Sequence, residues 1–253
     1  MPTLTSGGTR RRTLLSVVLA AAVVVALGIG WALLQLRPSD AEGTTGAAAP
    51  LAEGSLAAGF HAPDVDLYYS GQVIEPEPES WTDVRPVSTY RVLVMADGRD
   101  GSSPRDPQVA TLVGAVERWA SAEDHVELTV RYLSDPHAYI DDMDAAAAAR
   151  DADLIITAGN SLVDPVAVVS ANYAGEDPQQ FLVLGAEVAE PTHNIAAADW
   201  QGSAYLGEGV AESDYYHPSE VTAPRAYAAL RAGVAAVLSG YTSVIVRIPA
   251  DKY

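Results

Sequence analysis

From residue 91 onward the chain alternates short, uninterrupted apolar runs with stretches of helical periodicity, and that alternation leaves very few folds open to it. The runs are RVLVMA (91–96), VELTVRYL (126–133), ADLIITAG (152–159), FLVLGAE (181–187), the weaker HNIAAAD (193–199) and TSVIVRIP (242–249). Between the first two, the spacing of Val109, Leu112, Val113 and Val116 predicts a helix opening at Pro107. An alanine-rich helix is expected over 138–151, a Ser161-capped one over 162–173, and another near 202–211. The last begins around Pro224 and stops at Gly240. Strands alternating with helices make βαβ units, and strands apolar on both faces belong to a sheet covered on both sides. The reading is an α/β fold with a single doubly wound parallel sheet over residues 91–253.

The N-terminal part is different. Residues 13–36 carry no charge, and an α-helix needs roughly 20 apolar residues to cross a bilayer. Arg10, Arg11 and Arg12 precede the run, whereas every acidic residue of the chain follows position 37. The positive-inside rule then gives a cytoplasmic tail (1–12), a transmembrane helix (13–36) and an extracytoplasmic remainder at the cell membrane. The run is longer than the roughly 7–15 apolar residues of a cleaved signal peptide, so it reads as an uncleaved anchor. Residues 37–58, rich in Ala, Gly, Ser and Thr, read as a flexible linker. Residues 59–90, broken by prolines and acids, read as an extended arm whose aromatics rest on the domain.

Charge and composition exclude several functions. With 33 acidic against 15 basic side chains the net charge is −18, which repels nucleic acid. The chain has no cysteine, hence no disulfide, thiolate metal site or cysteine-linked lipid. The five histidines show no HExxH or i,i+4 pair, and GxSxG, GxGxxG and GxxxxGK[ST] are absent. No catalytic residue, metal site or cofactor is expected, and the chain does not read as an enzyme.

In doubly wound folds ligands sit beyond the carboxyl ends of the strands. There the sequence places Asp97-Gly98, then Gly159-Asn160-Ser161 with Asp164 a turn later, and then Asp199-Trp200. A carboxylate can accept from a ligand hydroxyl or amine, N–H groups at a helix start can hold a polar group, and an indole can stack on a flat ring. Turn formation, ordinary capping and coverage of the sheet end account for the same residues without a ligand.

The stretch from 91 to about 209 resembles the basic membrane protein family, substrate-binding components of ABC transporters with a type I periplasmic-binding fold. The resemblance is carried by the strand ending in Asp97, by DADLIITAGNSLVDP (151–165), by FLVLGAE and by NIAAADWQGSAYLGEG (194–209). It implies a flavodoxin-like, periplasmic-binding-protein lobe and a nucleoside-type ligand; taken with the strand ends, the expected ligand contacts are Asp97, Gly98, Asn160, Ser161, Asp164, Asp199, Trp200 and Tyr205. It also implies an ABC transporter, or another envelope protein, as partner. The departures are as informative. Pro104-Arg105-Asp106-Pro107-Gln108 replaces an expected aromatic segment, and too little chain follows Gly209 for a second lobe of roughly 100 residues. The expectation is a first lobe without its second, which either binds a solute on an open shelf or serves as a non-catalytic interaction domain.

Overall fold

The computed structural model describes residues 51–61, 69–203 and 216–253. The anchor expected at 13–36 and most of the helix expected near 202–211 lie outside these residues. No helix among the described residues is long and apolar enough to cross a membrane.

Seven parallel strands form the main sheet. In chain order they are β2 (Gln72–Ile74), β4 (Tyr90–Asp97), β5 (Val126–Leu133), β6 (Leu154–Ala158), β7 (Gln180–Leu184), β8 (Ile195–Trp200) and β9 (Val244–Ile248). Their order across the sheet is β2-β9-β8-β7-β6-β4-β5. The chain thus steps from β4 outward to β5, returns to β6 and runs the other way, the hallmark of a doubly wound flavodoxin-like sheet. A short antiparallel pair, β1 (Ala52–Glu53) with β3 (Arg85–Pro86), stands apart from it.

Two helical layers cover the sheet. Helices α1 (Pro107–Ala122) and α4 (Ala223–Leu238) lie on one face, and α2 (Tyr139–Ala149) and α3 (Val163–Asn172) on the other. The pleat assigns side chains by parity: Val92, Val94 and Ala96 of β4 face α1 and α4, while Leu93 and Met95 face α2 and α3. Asp106 caps α1 by accepting from the Val109 N–H at 2.8 Å, and Pro107 follows at the first helical position. Helix α2 ends two residues before its expected limit because Arg150 adopts the left-handed conformation, φ 55°.

The alanine run of β8 looked weak for a core strand, yet it is wholly buried. Gly233 of α4 explains it: a Cβ there would meet the Cβ of Ala198 at 2.7 Å and Cδ1 of Leu182 at 2.8 Å. Small residues on both sides bring the helix close to the sheet. The expected arm contributes more than aromatic contacts. Its residues 72–74 form the seventh strand beside β9, and Phe60, Trp81 and Val84 enter the core with it.

Candidate functional site

A cleft of about 170 Å³ opens at the carboxyl end of the sheet, on the face that carries α1 and α4. Its floor is apolar: Val109 and Leu112 of α1, Val221 ahead of α4, and the glycines that end β6 and β7. Those glycines, Gly159 (φ 84°) and Gly185 (φ 76°), turn the chain sharply where each strand stops. A Cβ on Gly185 would lie 2.9 Å from Leu112, so only glycine lets the first helix sit this close to the strand ends.

The rim is polar. Asp106 and Gln108 stand at the start of α1, Asn160 and Ser161 in the turn after β6, and Ser203 and Tyr216 opposite them. Ser203 is already engaged, accepting from the Trp200 N–H at 3.1 Å and donating to the Trp200 carbonyl at 2.9 Å. The Asp106 carboxylate holds the helix cap. A ligand would thus meet amides, hydroxyls and one carboxylate above an apolar floor, with no cation on the cleft wall among the described residues. That suits a neutral or cationic polar group better than an anion.

The structure brings Asn160 and Ser161 together at this cleft, and Asp97, Gly98, Asp164, Asp199 and Trp200 are not among its lining residues. Asp97 is buried on the opposite face. Its carboxylate accepts from Arg105 Nε at 2.7 Å and from the Tyr139 hydroxyl at 2.7 Å. Burial, reinforced by Asp97, pushes the Tyr139 phenol up to about 12. Gly98 packs against Tyr132, whose Cβ would be 2.7 Å from a side chain at that position. Asp164 is exposed in the first turn of α3.

Asp199 is fully buried on the α2/α3 face, between Arg247 at 3.3 Å and Glu187, which also pairs with Arg247. Burial first, then the neighbouring Glu187, holds the Asp199 carboxyl well above the ordinary carboxylate range. Trp200 does face the cleft side, but its ring is buried and its indole N–H donates to the Glu220 carbonyl at 2.8 Å. Tyr205 lies outside the described residues. Asp106 and Gln108 come from a helix start rather than a strand end, and the strand-end rule passes over them.

No family model matches the chain, and no curated protein does. Among solved structures it is similar to a solute-binding protein of an ABC transporter system from Aeropyrum pernix K1, with 20% identity, a TM-score of 0.37, and 45% of this chain and 29% of that one covered. A counterpart from Conexibacter woesei DSM 14684 shares 19% identity with a TM-score of 0.32, over 45% of this chain and 36% of that one. A fragment assigned as a lipoprotein from Peptoclostridium difficile 630 shares 16% identity with a TM-score of 0.41, over 59% of this chain and 98% of the fragment. The chain thus spans about a third or less of the two solute-binding proteins.

Proposed function

We propose that this protein is a non-catalytic, membrane-tethered extracytoplasmic binding module that takes part of a small polar solute of nucleoside type into the cleft after β6 and β7. The carrying observation is the cleft itself, polar at the rim and apolar at the floor, at the strand ends of a doubly wound sheet. Asn160 and Gln108 are the proposed hydrogen-bonding partners, and Val109, Leu112 and Val221 the surface for a flat ring. Coupling to an ABC transporter would give such a module its route of uptake.

Size favours a second wall. Sites that bury most of a drug-sized ligand run from roughly 300 Å³ upward, and this cleft is smaller and open. In the second reading another envelope protein supplies the missing wall, and the domain is an interaction module.

A thermal-shift panel of nucleosides, nucleobases and sugars on the full chain separates the two. Ligand at 100 times its Kd should stabilise the fold by about 2.7 kcal/mol, a rise of about 5 °C or more. Asn160→Ala and Gln108→Ala should abolish that rise while leaving the melting of the free protein within about 2 °C. A flat panel at millimolar concentration moves the assignment to the interaction module.

A further inference from the structure

Strand β5 ends the sheet, pairing with β4 on one side and with no strand on the other among the described residues. Its backbone is oriented by two bonds: the Tyr90 N–H donates to the His125 carbonyl at 2.8 Å and the Gly98 N–H to the Leu133 carbonyl at 2.6 Å. The odd-numbered residues therefore turn their peptide groups toward β4. Val126, Leu128, Val130 and Tyr132 turn theirs outward, toward whatever pairs there. An open edge of eight residues is long for a feature that proteins usually blunt.

The side chains along that edge are self-complementary. Glu127, Thr129 and Arg131 are exposed on one face; Val126, Leu128, Val130 and Tyr132 are half-buried on the other, against the core under α1. Neither Glu127 nor Arg131 has an ion-pair partner or side-chain hydrogen bond among the described residues. The neighbouring cation on β4, Arg91, is already taken by Asp153 at 2.7 Å.

We propose that β5 is a homodimer seam, in which two copies pair antiparallel about a two-fold axis at Thr129. In that register Glu127 of each copy opposes Arg131 of the other, Leu128 opposes Val130, and Val126 opposes Tyr132. The outward-turned residues then fall opposite one another, as a ladder of about eight backbone hydrogen bonds requires. Sliding the pairing by one step in either direction about the axis sets Glu127 or Arg131 against Thr129 and loses both ion pairs. Only the register centred on Thr129 satisfies backbone, charge and apolar face together. The resulting sheet is continuous through both copies, and the interface is isologous.

The chain lacks cysteine, so a single introduced thiol can bridge only to its own copy. Thr129 falls at a non-hydrogen-bonded position, where opposed Cα atoms lie about 4.5 Å apart, within disulfide reach. The full chain in detergent is measured by light scattering across concentration, and Thr129→Cys is oxidised beside a control, Val168→Cys, on the exposed side of α3. The expected result is a dimer that crosslinks through position 129 and not through 168. Glu127→Arg and Arg131→Glu should each weaken the dimer at least about tenfold, because each sets like charges opposite each other twice. The double variant, or an equimolar mixture of the two single variants, should restore it, which also shows that the substituted chains fold. A wild-type chain that is monomeric at every concentration overturns the seam. So does a dimer that ignores both charge reversals and fails to crosslink at 129.

Discussion

Asp199 illustrates how one residue's direction decides its role. It sits at the end of a strand, where a carboxylate could meet a ligand, but the pleat turns it away from the cleft toward Arg247 and Glu187. Two acids share one guanidinium there, without solvent around Asp199. With its affinity for a proton raised in the folded state, the native protein holds a proton that the unfolded chain releases above its ordinary pKa of about 3.9. The stability this contributes is full below that value and is lost as the pH rises through the raised one. Asp199→Asn removes the titration. Thermal melts from pH 4 to 8 should show a shallower decline with rising pH than the parent. An unchanged slope would overturn this role for Asp199. Asn194 gives a parallel case: its amide donates to the carbonyls of Ser170, Tyr173 and Gln179, tying the end of α3 to the start of β7.

At the scale of elements, the strands of the main sheet differ in how openly the sequence declares them. VELTVRYL alternates because it is an edge strand with one face exposed, and its expected bounds match β5 at both ends. The interior strands β6 and β7 are continuous apolar runs for the opposite reason. β8 was readable only faintly, since its small residues matter through the glycine they face. Gly233→Ala should therefore destabilise the domain by about 1–3 kcal/mol, because the added methyl overlaps Ala198 and Leu182 and the helix must lift; urea unfolding measures it. β2 was not legible as a strand. It has three residues among prolines and acids, and its pairing with β9 reaches across some 170 positions of sequence. At the site, Asn160 and Ser161 followed from the strand-end rule. Asp106 and Gln108 did not, because nothing local says how far a neighbouring helix start leans over a strand end.

For the whole molecule, the chain upstream of β4 matters more than an arm would. Phe60, Ile74, Trp81 and Val84 are all at least 95% buried in the core shared with α1 and α4. At about 1.5–3 kcal/mol each, removing them forfeits roughly 6–12 kcal/mol, as much as a typical domain's entire stability. A chain beginning at residue 90 should fail to show a cooperative thermal transition, whereas one beginning at residue 49 should keep it; circular dichroism distinguishes the two. The direction of the parallel sheet has a mechanical corollary. All seven strands point the same way: the Val87 N–H meets the Leu51 carbonyl just ahead of β4, beside the amino ends, and the cleft opens at the other ends. In two copies joined along β5 the strands would run in opposite directions, so the two mouths would open at opposite ends of one continuous sheet.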